Sequence, residues 1–183
     1  KDREGENPLN LGFDVNVAGT CFGAPGSYYG TRSFGVGSKN LHARPVPHLE
    51  KYHGQNIFLT EALTLEAKAE IDKALNASKP FFLHMSHYAV HSPFQTDPRF
   101  AKNYQGKSPS LMAYATMIEG MDKSLGDLID HIETKGVAEN TLIIFLGDNG
   151  GDAPDKDLDG ISSCAPLRGR KGAKWEGGMR VPF

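Results

Sequence analysis

The feature that most constrains the fold lies between residues 81 and 146: a short apolar run, a long amphipathic pattern, then a second apolar run rich in β-branched residues. Phe81-Phe82-Leu83-His84-Met85-Ser86 follows Pro80 and suits a strand buried on both faces. Over 109–135, Leu111, Ala115, Ile118, Met121, Leu125, Leu128 and Ile132 recur at steps of three and four, which predicts a helix with one apolar stripe, stopped by Gly136. Thr141-Leu142-Ile143-Ile144-Phe145-Leu146 is the clearest strand pattern and runs into Gly147-Asp148-Asn149-Gly150-Gly151. Strand, long helix, strand is the unit of a parallel sheet, so the expected class is α/β, a mixed and mainly parallel sheet flanked by helices. A further helix is expected from Thr60, as its cap, to near Asn76, with Leu63, Ala67, Ile71 and Leu75 on one stripe. Gly, Pro, Asn and Ser punctuate residues 1–56 too often for long elements, so this stretch reads as loop-rich and 57–183 as the α/β core segment.

Charge narrows the function. Against 22 Asp+Glu stand 20 Lys+Arg in 183 residues, a formal net charge of -2. Such a balance gives no bulk attraction to nucleic acid or an anionic membrane, so an anionic substrate must be held by local charges. No run approaches the roughly 18 apolar residues of a membrane span, and KDREGENPLN lacks the apolar core of a leader peptide. Cys21 and Cys164 exclude a disulfide framework and leave either one bridge or two free thiols. A polar start and an abrupt apolar stop at Val181-Pro182-Phe183 suggest a piece of a larger domain.

In open α/β sheets, ligands gather beyond the carboxyl ends of the strands. Two polar clusters fall there, His87 with His91 and Asp148 with Asn149. Asp148 and Asn149 offer the hard oxygens that Ca²⁺ or Mg²⁺ prefer, although the same residue types also make an ordinary tight turn. Ca²⁺ takes six to eight ligands, so others must come from elsewhere. His91 precedes Ser92-Pro93, and proline holds the residues before it extended. Four-residue histidine spacing would suit zinc on a helix, but Tyr-Ala-Val before Ser-Pro is poor helix sequence. A third cluster holds Arg168, Arg170, Lys171, Lys174 and Arg180 among glycines, a local basic patch that admits close backbone approach to an anion. It lacks the G-x-x-x-x-G-K-[ST] spacing of a P-loop, and the rest of the chain gives no support to a nucleic-acid surface around Trp175.

Four strings occur in order: F-F-L-H-M-S-H-Y-A-V-H-S-P, M-D-K-S-L-G, G-D-N-G-G and L-R-G-R-K-G-A-K-W-E-G-G-M-R-V-P. Together they closely resemble the type I sulfatases of the alkaline-phosphatase superfamily, and Gly12-Phe13-Asp14 is similar to a further family segment. The resemblance implies an alkaline-phosphatase-like fold and hydrolysis of a sulfate ester, on a carbohydrate more than on an aryl group. It implies Asp148 and Asn149 as metal ligands, usually for Ca²⁺, and His91 and Lys171 as contacts to the sulfate. His87 and Arg168 would be further substrate contacts, and Trp175-Glu176 a structural brace. A periplasmic, secreted or lysosomal setting also follows from the family.

The departures are as informative. Two early metal-binding carboxylates, the C/S-x-P-x-R nucleophile that becomes formylglycine, and a K-x-x-H-L-G segment are all missing from their expected places, which puts them upstream of Lys1. Cys164-Ala165-Pro166-Leu167-Arg168 has the C-x-P-x-R form, but it follows the D-N-G-G string and shares Arg168 with L-R-G-x-K-G, so it reads as a decoy. The 183 residues alone are therefore expected to be inactive, and open sheet edges predict self-association. A phosphate or phosphonate monoester hydrolase, or a non-catalytic anion-binding module, remain the alternative readings.

Overall fold

The computed structural model describes residues 7–37, 44–152 and 163–182. Two long helices organise it, α1 (Leu59–Asn76) and α2 (Pro109–Thr134), with a one-turn helix α3 (Glu176–Met179) near the end. Among the described residues, no helix is long and apolar enough to cross a membrane.

Helix α1 begins one residue before the expected cap. Phe58 occupies the cap position without a side-chain bond, and Thr60 is buried inside the first turn. The cap is supplied from a distant segment instead: the Leu59 N–H donates to the Tyr28 carbonyl at 2.8 Å. Phe58 is fixed by stacking on Tyr28, ring centroids 5.3 Å apart, and by an edge contact with Tyr29. Further along, Leu63, Ala67 and Ile71 are buried as their spacing requires.

Helix α2 is capped by Ser108, whose hydroxyl accepts from the Leu111 N–H at 3.3 Å, and the chain turns away at Gly136 with φ 71°. Its buried stripe differs from the apolar one. Thr116, Met117, Gly120 and Ser124 face inward in the first half, while Ile118 is exposed. Close approach explains the exchange: a methyl group on Gly120 would sit 3.0 Å from an Asp97 carboxylate oxygen, and Ser124 Oγ lies 2.6 Å from Thr64 Oγ1 of α1. Small and hydroxylated side chains are needed where helices and buried polar groups meet at that range.

The loop-rich beginning builds much of the core. Tyr28, Phe34, Val46 and Leu49 are fully buried and pack with Phe58, Leu59, Leu63 and Met117. A second cluster joins Ala67 and Ile71 of α1 to Leu128 and Ile132 of α2, with Phe81 and Met85 packed against it.

The runs 81–86 and 141–146 take no part in a ladder. Among the described residues the one β-bridge is Tyr29 to Phe58, antiparallel. A ladder needs a neighbouring strand about 4.8 Å away, and the 141–146 run instead lies open, with Leu142 85% exposed and Ile144, Phe145 and Leu146 more than half exposed. Cys21 and Cys164 are both free thiols.

Candidate active site

Two glycine-rich loops cross to form the site, and backbone hydrogen bonds close the crossing. Gly150 N–H donates to the Gly178 carbonyl at 3.0 Å, and Lys171 N–H to the Gly151 carbonyl at 2.9 Å. The second loop is folded on itself by the Gly177 N–H, which donates to the Arg168 carbonyl at 2.8 Å. Only glycine permits this approach. A methyl group on Gly150 would overlap the Gly177 carbonyl, and one on Gly177 would overlap the Gly169 carbonyl. Gly150→Ala is expected to destabilise the chain by about 1–3 kcal/mol, read as a lower urea midpoint. An unchanged midpoint would show that the loops do not cross this closely.

The crossing brings Asp148, Asn149 and Lys171 into one neighbourhood, since Lys171 is bonded through its backbone two residues beyond Asn149. The Asn149 side-chain N–H donates to the Gly150 carbonyl at 2.9 Å, which leaves its amide oxygen as an acceptor. Asp148 is exposed. Among the described residues no group of three His, Cys, Asp or Glu gathers, so Asp148 and Asn149 supply two hard oxygens and no more. Arg168 lies 3.8 Å over the Trp175 ring, a cation–π contact that holds the guanidinium against the loop. Glu176 pairs with Arg180 at 3.7 Å. The Cys164 thiol donates to the Gly151 carbonyl at 3.2 Å, at the edge of the same crossing.

His91 sits on a separate loop. Its Nδ1 is 3.0 Å from the Ser92 carbonyl, and because a carbonyl only accepts, Nδ1 carries the hydrogen and Nε2 is bare in the neutral ring. No hydrogen bond or ion pair among the described residues joins this ring to Asp148, Asn149 or Lys171. The loop itself is firmly held. Tyr28, fully buried, places its hydroxyl 2.7 Å from the Tyr88 carbonyl and 2.8 Å from that of His91. Burial drives the Tyr28 pKa well above the ordinary tyrosine value, so the hydroxyl remains a donor. Gln95 Oε1 accepts from the Tyr28 N–H at 2.6 Å, Tyr29 donates to the Thr96 carbonyl at 2.8 Å, and Tyr88 donates to the Ala18 carbonyl at 2.7 Å. Sequence reasoning missed Tyr28 and Gln95. Their one signal was the presence of tyrosine and glutamine in loops, where polar tips on large side chains often bridge backbones.

His87, four residues earlier, has its partner on a helix instead. Its Nε2 lies 3.2 Å from Ser124 Oγ of α2, and Nδ1 is buried with no partner among the described residues.

A carboxylate, an amide oxygen and a lysine at the crossing of two glycine-rich loops are chemistry suited to a hydrolase acting on an anionic ester. The chain belongs to the sulfatase family, whose profile matches residues 24–183. It is 30% identical over 177 residues to arylsulfatase J of Mus musculus, covering 95% of this chain and 28% of that protein. It is 31% identical over 132 residues to N-acetylgalactosamine-6-O-sulfatase of Bacteroides thetaiotaomicron, covering 68% of this chain and 24% of that protein. Among solved structures it resembles Ps i-CgsB, with a TM-score of 0.79 and 30% identity over 99% of this chain and 41% of the other. The chain thus spans about a quarter of the length of these curated relatives.

Proposed function

We propose that this chain is part of the catalytic domain of a sulfuric ester hydrolase that acts on a sulfated carbohydrate. The observation that supports the reading is the loop crossing, in which the Lys171 backbone N–H bonds to Gly151, two residues beyond Asn149. Asp148 and Asn149 fit a hard divalent ion, Ca²⁺ or Mg²⁺, with the remaining ligands from outside the chain. Such an ion, when bound, supplies positive charge where the sulfuryl oxygens become more negative. The Lys171 ammonium adds a second positive charge there, and Arg168 gives the same patch a third. His91, with Nδ1 bonded to Ser92, presents Nε2 to hold the proton that the leaving alcohol requires. The nucleophile, a formylglycine, comes from sequence outside these 183 residues, and Cys164 belongs to the lysine loop. Carbohydrate as substrate is supported by the N-acetylgalactosamine-6-O-sulfatase likeness and by a solved structure of Ps i-CgsB in complex with k-i-k-neocarrahexaose.

In this reading the runs 81–86 and 141–146 are strands of the mixed, mainly parallel sheet of the whole domain, and their exposed apolar side chains are the faces that other strands and helices cover. The isolated chain then self-associates. Light scattering on dilution tests this, with a stable monomer as the contrary result.

The functional reading is tested by assaying the full-length protein on sulfated oligosaccharides and matched phosphate monoesters. Sulfate release should dominate. Equal or faster phosphate release would transfer the site to a phosphate or phosphonate hydrolase, and turnover of neither would leave a non-catalytic anion-binding module.

A further inference from the structure

We infer that His87 is a positioning residue for the His91 loop: a neutral imidazole, protonated at Nε2, that moors this loop to Ser124 of α2 and does not itself contact the sulfate. The inference rests on the proposed sulfatase site for its effect on turnover, and on hydrogen-bond accounting for the state of the ring.

Of the two acceptors within reach of the single Thr64 hydroxyl hydrogen, Ser124 Oγ and the Thr60 carbonyl at 2.7 Å, the second is the one that spares His87 a hydrogen on its unpartnered Nδ1. The 2.6 Å contact between Thr64 Oγ1 and Ser124 Oγ must then use the Ser124 hydrogen. Ser124 Oγ has no hydrogen left for His87, so the 3.2 Å contact is an N–H donated by His87 Nε2. A neutral ring protonated at Nε2 carries its lone pair on Nδ1. That atom is buried and unpartnered among the described residues, so a hydrogen placed there would find no acceptor. Burial pushes the His87 pKa down to about 4, in agreement with a ring that stays neutral.

A neutral ring bonded to Ser124 of α2 lacks the charge to attract sulfate and has its only donor committed. It does hold the chain where the 81–87 segment ends and the His91 loop begins. Tyr28 grips the same loop from the other side through the Tyr88 and His91 carbonyls. The loop is thereby clamped before and at His91, which fixes the direction from which that ring can approach a substrate.

The test has two arms. Long-range ¹H–¹⁵N spectra of the histidine-labelled full-length protein should show His87 protonated at Nε2 and bare at Nδ1, unchanged from pH 8 to 5. An imidazolium, or a hydrogen on Nδ1, overturns the inference whether or not the protein is a sulfatase. In the full-length protein, His87→Gln keeps a donor at the reach of Nε2 and should retain kcat and its pH profile. His87→Leu should lower kcat by about 10- to 100-fold with little change in KM. Ser124→Ala, which removes the acceptor and leaves the histidine, should lower kcat in the same direction and serves if the leucine variant fails to fold. Loss of activity in His87→Gln equal to that in His87→Leu, with a shifted pH profile, would show the imidazole acting on substrate. Equal kcat in all variants would show no positioning role. Absence of sulfate release from the unsubstituted protein, with the spectra as expected, would count against the sulfatase reading and leave the mooring intact.

Discussion

Lys171→Ala in the full-length protein is expected to lower kcat for sulfate ester hydrolysis by about 10²- to 10³-fold, the effect of deleting one preorganised group in the role proposed for it, facing developing negative charge. The substitution separates side chain from scaffold cleanly. What ties residue 171 into the crossing is its backbone N–H, bonded to the Gly151 carbonyl, and alanine keeps that bond. The ammonium alone is removed, so the backbone bond that closes the crossing near Asp148 and Asn149 is retained while the positive charge is lost. Lys171→Arg should not restore full activity, because a planar, forked guanidinium does not replace a compact point charge. Steady-state kinetics with matched thermal unfolding checks both statements. A kcat within a few fold of the parent in a well-folded Lys171→Ala protein would remove the residue from the chemistry.

The largest expected effect on stability belongs to Arg99. Asp97 is 0% exposed, and its carboxylate accepts from Arg99 Nη2 at 2.6 Å and from Nε at 3.0 Å. The Arg99 N–H adds a third bond at 3.1 Å, and Glu61 of α1 lies 3.5 Å from Arg99 Nη1. Arg99→Ala strands a buried carboxylate beside Gly120 and Thr116 of α2 and is expected to cost about 3–5 kcal/mol. Urea unfolding at constant slope reads the loss. Replacing both residues, Asp97→Asn with Arg99→Ala, should recover part of it, because the stranded charge is then gone. A loss below about 1 kcal/mol in the single variant would place the pair among exposed ion pairs. The same segment, which follows the His91 loop, is tied to α1 through Arg99 and Glu61 and to α2 by the Asp97 N–H, which donates to Thr116 Oγ1 at 3.0 Å.

What could be read from the sequence divides along a physical line. Periodicity located α1 and α2 to within a residue or two, because helices declare themselves through repeated local spacing. It misjudged the inner face of α2, where Thr116, Gly120 and Ser124 are buried for their small size and hydroxyls. Apolar pattern has no means of registering that. The same limit hid the core role of Tyr28, Phe34, Val46 and Leu49, which reach the interior from loops with no period at all. At the site, the glycine-rich strings marked both loops, but their crossing was invisible, because the bonds from Gly150 to Gly178 and from Lys171 to Gly151 span distant parts of the chain. For His87 the family resemblance implied a sulfate contact, whereas its bond to Ser124 carries the inference that it is a brace. The sheet pattern of 81–86 and 141–146 is plain in the sequence, yet these runs are unpaired among the described residues.

The central claim is that the two crossing loops form a metal-assisted site for a sulfate ester. Its most direct test is sulfate release by the full-length protein before and after chelation, with Ca²⁺ then restored, for the parent and for Asn149→Ala. Chelation should abolish release, Ca²⁺ should restore it in the parent, and Asn149→Ala should need more Ca²⁺ for the same recovery. Undiminished release in the presence of chelator, or identical Ca²⁺ dependence in the two proteins, would contradict the central claim.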